Sequence, residues 1–136
     1  MKVEKYSGDY DRVKFYGIMG KFFAEPQYKR DLPYGCNRNG SEWYLFYKAD
    51  SLVGFSSVIH TKYHVKFGNM YVLPEFRNDG VWSYMANYLL NLYRDQVIIV
   101  VVNNKTLYDA WKRRKFKEVN ERGSYKILEW RPEDDE

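Results

Sequence analysis

The chain opens on alternation. "KVEKYS" (residues 2–7) switches between apolar and polar and predicts a strand, which Gly8 and Asp9 end. From Tyr10 to Ala24, Val13, Ile18, Phe22 and Phe23 fall near helical spacing and predict a helix, interrupted by Gly17 and Gly20 and stopped by Pro26. "YKRDLPYGCNRNGS" then reads as loop with room for a short second helix. "EWYLFYKAD" and "SLVGFSSVIHTKY" are rich in aromatic and β-branched residues and meet at Ala49-Asp50, which predicts a hairpin. "HVKFGNMYVL" predicts another strand, running into Pro74. In "DGVWSYMANYLLNLYRD", Val81, Met85, Tyr88, Leu89 and Leu92 repeat at three and four, as a helix requires. "QVIIVVV" is apolar throughout and predicts a strand covered on both faces. "NKTLYDAWKRRK" predicts a helix capped by Asn103 or Asn104, and "FKEVN" with "SYKILEW" a closing hairpin around Gly123.

That order places strand, helix and strand in the middle of the chain, hence a right-handed crossover between parallel strands, with hairpins on either side. The expected fold class is mixed α+β: a central, mostly antiparallel sheet of six to seven strands with helices on both faces. Residues 1–131 are expected to form one domain, with 132–136 a frayed acidic tail.

Composition narrows the picture. With 45% hydrophobic and 19% aromatic residues in 136, the chain is not a disordered one. No apolar run approaches the roughly 20 residues that span a bilayer, and "MKVEKYSGDY" lacks the apolar core of a secretory signal. The lone Cys36 excludes an internal disulfide and reads as the thiol of a cytoplasmic protein. Of 18 acidic residues four lie in the terminal "PEDDE", so residues 1–132 hold 22 basic and 14 acidic residues, a net +8 against +4 for the whole chain. Such a body attracts phosphate, on a cofactor, a nucleic acid or a membrane surface, and the charge alone does not choose among them.

"PEFRNDGVW", residues 74–82, carries the most specific signal. A helix that starts after a glycine-containing turn exposes unpaired amides and the positive end of its dipole, an anion site that needs no particular side chains. With the strand before it, this stretch resembles the acyl-CoA loop of the GNAT N-acetyltransferase superfamily, V-x-P-x-[FY]-[QR]-x-x-G-x-[GA]. Val72, Pro74, Phe76, Arg77 and Gly80 match, and Trp82 departs. Downstream, "VIIVVVNNKTLYDAWKRRKFKEV" resembles the family's next block, a buried strand ending in Asn and a helix closing with Tyr-Glu-Lys-x-Gly-Phe. Asn104 and Phe116 keep its spacing, whereas Trp111 replaces the tyrosine and Lys115 the glycine.

The resemblance implies a splayed parallel strand pair holding the pantetheine arm of acetyl-CoA. Amides of Tyr71, Val72 and Leu73 would hold the arm on one side and Asn104 on the other, while amides of Arg77, Asn78, Asp79, Gly80 and Val81 would hold the pyrophosphate. Trp82 either packs in the core or stacks on the cofactor. Asp79, repulsive toward a pyrophosphate, suits a helix cap. Arg77 either meets a phosphate or forms a surface ion pair.

The implied chemistry is acetyl transfer to a primary amine by direct attack on the thioester, which calls for a proton for the thiolate and a base for the amine. Trp111 cannot serve as the acid. Tyr108, three residues earlier on the same helical face, is the candidate replacement. No carboxylate lies in "HTKYHVKFGNMYV", leaving His64, with His60 second, as candidate base. A solvated turn is the plainer account of both histidines, and an amine that loses its proton through water needs no protein base. Glu42, Glu75 and Glu118 are further carboxylates without a positional argument.

"KRRKFK" (112–117) reads as a solvated helix end, with attraction of an acidic partner such as nucleic acid as its rival. The aromatic-rich segment 6–47 is where the resemblance places the acceptor wall. The alternative function is a GNAT-like domain, viral or from a mobile element, that has lost turnover and binds a host protein or nucleic acid. A homodimer through edge strands fits the architecture, and no membrane partner is expected.

Overall fold

The computed structural model describes residues 1–134. Seven strands and four α-helices follow in the expected order: β1 (Lys2–Tyr6), α1 (Arg12–Ala24), α2 (Pro26–Lys29), β2 (Glu42–Lys48), β3 (Ser51–His60), β4 (Val65–Val72), α3 (Val81–Tyr93), β5 (Ile98–Val102), α4 (Lys105–Lys112), β6 (Lys117–Arg122) and β7 (Tyr125–Trp130). They build one seven-stranded sheet, ordered β1-β2-β3-β4-β5-β7-β6. β5 meets β4 in parallel, at Val65↔Ile98 and Lys66↔Ile99. β1 with β2, β2 with β3, β5 with β7 and β6 with β7 are antiparallel. The mixed sheet read from the element order is therefore present. By contacts the chain falls into two compact units: residues 1–58 with 69–85, and residues 59–68 with the chain from 86 onward.

In the first unit Asp11 caps α1, its carboxylate accepting from the Lys14 N–H at 3.0 Å. The buried stripe of α1 is Phe15, Met19 and Phe22, spaced by four and three. Val13, counted into the stripe from its spacing, is 85% exposed. Pro26 does more than stop α1, since it opens α2 at a position that needs no N–H donor. Phe15 and Phe22 pack on Trp43 and Phe55, ring centroids 5.7 and 5.0 Å apart. Because β2 alternates, Phe46 looks to the opposite face and meets Tyr84 of α3 at 6.2 Å. On that same face Gly54 lies across from Phe46, and a Cβ there would stand 2.6 Å from Met85 Sδ. Helices thus cover both faces of this part of the sheet, and Gly54 is what lets α3 settle.

In the second unit Asn104 proves to be the cap of α4, accepting from the Leu107 N–H at 2.8 Å. Trp111, 2% exposed, packs between Phe67 and Phe116, with centroids 6.1 and 4.8 Å away. β5 buries Ile98, Val100 and Val102, but Val101 is 39% exposed. The uniformly apolar run therefore does not mean two covered faces here. β6 is exposed at every residue and ends the sheet in charged positions, which discourage further pairing. Of the expected frayed tail, Pro132–Asp134 form a 3-10 turn, and Asp134 lies 3.5 Å from Lys117 Nζ. Residues 135–136 lie outside the described residues.

Candidate functional site

Leaving β4, the chain makes a 3-10 turn at Pro74–Phe76 and enters α3 at Val81. Several amides of this stretch are spent inside the protein. Leu73 donates to the Val53 carbonyl at 2.9 Å, Phe76 to Leu73 at 2.9 Å and Arg77 to Pro74 at 3.3 Å. The ligand-facing amides expected over 71–81 thereby narrow to a shorter run. Among the described residues, Asn78, Asp79, Gly80 and Val81, which follow one another through the turn at 77–80, donate no backbone hydrogen bond of ordinary length and angle.

Their backbone explains how they are held. Asn78 and Gly80 adopt φ of +62° and +76°, whereas Asp79 between them does not take a positive φ. Alternation of left-handed with other backbone conformations is the pattern from which concave anion-binding turns are built. Gly80 stands at the cap of α3, its carbonyl accepting from the Tyr84 N–H at 3.1 Å. A Cβ at Gly80 would meet nothing within 4 Å, so the glycine serves the left-handed backbone and leaves the approach open.

The charges around the loop are arranged differently from the sequence expectation. Asp79 precedes the cap position, and its carboxylate sits 3.2 Å from Lys48 Nζ, which offsets the repulsion it would show an anion. Arg77 is turned away from the loop. Its Nε donates to the Val72 carbonyl at 2.9 Å, its Nη2 reaches Asp31 Oδ2 at 3.2 Å, and its guanidinium lies 5.2 Å over the Tyr71 ring. The surface ion pair is the role that this conformation displays. Trp82 is half-buried on the first turn of α3 and belongs to neither extreme of the two readings given for it.

Beside this loop the first unit holds an open cavity of about 480 Å³ between Tyr28, Arg30, Asp31, Tyr71 and Glu75. Tyr71 is 5% exposed, and its hydroxyl donates to Asp31 Oδ2 at 3.1 Å. Burial, followed by that carboxylate, raises the Tyr71 hydroxyl above the usual tyrosine range, so it stays a donor. Sequence reasoning missed Asp31, counted Tyr28 only as one member of the aromatic segment 6–47, and left Glu75 without a place. Asp31 and Tyr71 are 40 positions apart, and no local pattern marks the pair.

In the second unit a smaller cavity of about 380 Å³ lies among Asn103, Asn104, Tyr108, Glu118 and Lys126. The Tyr108 hydroxyl donates to Glu118 Oε1 at 3.0 Å, and this bond is the main reason that its pKa is raised. Tyr108 therefore keeps its proton, already shared with a carboxylate. Asn104 spends its side-chain oxygen on the α4 cap. His64 follows the turn at 61–63 and sits at the far end of β4 from Leu73. Its backbone is tied to Thr61, whose N–H and hydroxyl both donate to the His64 carbonyl, at 2.9 and 3.0 Å. His60 is exposed, its ring edge-on to Tyr93 at 5.5 Å. Trp111, where the resembled family has tyrosine, is core.

The sequence matches no family model and no curated protein. Solved structures match well. Escherichia coli ElaA aligns over 94% of this chain and 97% of its own, with TM-score 0.72 and 15% identity. An acyl-CoA N-acyltransferase from Pseudomonas aeruginosa aligns over 94% and 99%, with TM-score 0.71 and 12% identity. A GNAT family acetyltransferase from Elizabethkingia anophelis with acetyl-CoA bound aligns over 96% and 97%, with TM-score 0.64 and 11% identity. The fold is that of the GNAT N-acetyltransferases. Among the described residues no helix is long and apolar enough to cross a membrane.

Proposed function

We propose that the protein is an acyl-CoA-dependent N-acyltransferase that moves an acetyl group from acetyl-CoA to a primary amine. The observation that carries this reading is the run of weakly engaged amides from Asn78 to Val81 at the entry to α3, in a chain whose fold is shared with an acetyltransferase that has acetyl-CoA bound. Oriented N–H groups and a helix N-terminus suit a diphosphate, and Lys48 keeps Asp79 from opposing it. Acetyl-CoA would supply an activated acyl group as a thioester. The neutral amine nitrogen bonds to the acyl carbon, the C–S bond breaks, and the proton lost by nitrogen ends on the thiolate sulfur, directly or through water. Positioning of the two substrates is then the protein's main contribution.

Calorimetry with acetyl-CoA tests the reading. A β-branched residue at φ +76° cannot keep the loop's backbone, so Gly80→Val disperses the amides. Losing one bond to a charged phosphate, worth about 1.5–3 kcal/mol, weakens binding about tenfold to a hundredfold. A wild type that binds no acetyl-CoA, or a folded Gly80→Val with unchanged affinity, removes the proposal.

One observation favours a second reading, binding without turnover: the burial of Trp111 where the family's tyrosine would stand. Thiol release from acetyl-CoA across a panel of amines separates the two, since a domain that only binds releases none.

A further inference from the structure

The cavity of about 480 Å³ beside the loop has an uncommon charge pattern. Arg30, the residue that ends α2, has no carboxylate within ion-pair distance among the described residues, nor does Glu75 have a cation. Asp31 is half used: Oδ2 takes both the Tyr71 hydroxyl and Arg77, while Oδ1 has no partner among the described residues. The Tyr28 and Tyr71 rings, edge to face at 6.2 Å, form an apolar wall in the same cavity. One cavity therefore offers a free guanidinium, a free carboxylate and a half-free one against aromatic surface. A polyamine would meet Arg30 with like charge, and a plain anion would meet Asp31 and Glu75. Only a ligand bearing both signs satisfies the set.

Resting on the acyltransferase reading, we propose that this cavity selects a zwitterionic acceptor, a free amino acid or similar small amino-carboxylic acid. Arg30 takes its carboxylate, for which the planar guanidinium is suited. Asp31 Oδ1 and Glu75 receive its ammonium, which gives one proton to water before the neutral nitrogen attacks the thioester, and the hydroxyl of Tyr71 keeps the Asp31 carboxylate oriented. Tyr28 and Tyr71 meet the apolar part of the ligand. The cavity shares Tyr71 and Glu75 with the stretch that leads directly to the amides of Asn78–Val81, which puts the acceptor's pocket next to the anion loop in sequence and within one unit.

The test measures binding of each proteinogenic amino acid and of its decarboxylated amine to the purified protein by saturation-transfer NMR, without acetyl-CoA, and thiol release with it. At least one amino acid is expected to bind about tenfold or more tightly than its own decarboxylated amine. Arg30→Gln is expected to erase that preference by weakening the amino acid alone, and Glu75→Gln to weaken both members of the pair. Both side chains are exposed, so neither change threatens the fold. Equal or tighter binding of the decarboxylated amines, no binding of any amino acid, or a preference that survives Arg30→Gln overturns the inference. Amino-acid binding without thiol release sustains the pocket's ligand and removes the acyltransferase reading; thiol release with carboxylate-free amines alone does the reverse.

Discussion

Lys115 holds φ at +71° just past α4, in a region where a side chain costs about 1 kcal/mol and glycine costs nothing. The helix end around it is otherwise complete. The Phe116 N–H donates to the Trp111 carbonyl at 3.2 Å, the Lys115 N–H to Lys112 at 3.1 Å, and the Phe116 ring closes on Trp111. Those bonds and that ring contact hold Lys115 in its left-handed conformation. Lys115→Gly is accordingly expected to stabilise the protein by about 1 kcal/mol in denaturant unfolding, and an unchanged or lowered stability would contradict the account. The position was legible because the motif is local: Asn104 and Phe116, twelve residues apart, mark its start and finish. Asp31 was not legible at all. It matters through Tyr71 and Arg77, 40 and 46 positions away, and such pairings leave no trace in spacing.

Between elements, packing of α3 on the sheet hangs on an atom that is absent. A Cβ on Gly54 would come 2.6 Å from Met85 Sδ and 2.7 Å from the Tyr71 carbonyl oxygen, and a backbone oxygen cannot swing aside as a side chain does. Gly54→Ala is expected to cost about 1–3 kcal/mol in thermal or denaturant unfolding. Gly17, inside α1, meets nothing within 4 Å, and Gly17→Ala should instead add about 0.5–1 kcal/mol, since alanine stiffens a helix without collision. Equal effects of the two substitutions would refute the packing argument. In the sequence Gly17 reads as an interruption of a helical pattern, while nothing singles out Gly54. Their opposite roles depend on which element lies across from them. Helix α3 shows the same limit, for Val81, Met85 and Leu89 are buried as the period requires, yet Leu92 of that series is 48% exposed.

Across the whole molecule, three tyrosines contribute to the response to alkali. Burial, ahead of the Glu4 carboxylate, raises the hydroxyls of Tyr6 and Tyr47, and burial ahead of Asp31 raises Tyr71. Below about pH 10, the ordinary tyrosine value, folded and unfolded chains both keep these protons and the contribution to stability is full. Above it the unfolded chain releases protons that the folded chain retains, and stability falls until the folded hydroxyls ionise. Denaturant unfolding from pH 8 to 11 should therefore show a plateau and then a decline, which Tyr47→Phe makes shallower. Identical alkaline slopes for the two proteins would exclude this tyrosine as a source.

What the sequence determined by itself is what nearest neighbours along the chain decide: the order of strands and helices, the parallel crossover, a cap at Asn103 or Asn104 and a glycine turn before α3 at Gly80. Periodicity, capping and left-handed turns are short-range, each set by a few consecutive residues. Tertiary structure alone decided which face of each element is covered, that Arg77 turns to Asp31 instead of the loop, that Lys48 answers Asp79, and that Tyr28, Arg30 and Glu75 share a cavity. Those outcomes depend on segments brought together by burial of the aromatic core, and a side chain's partner there is set by three-dimensional packing, not by distance along the chain.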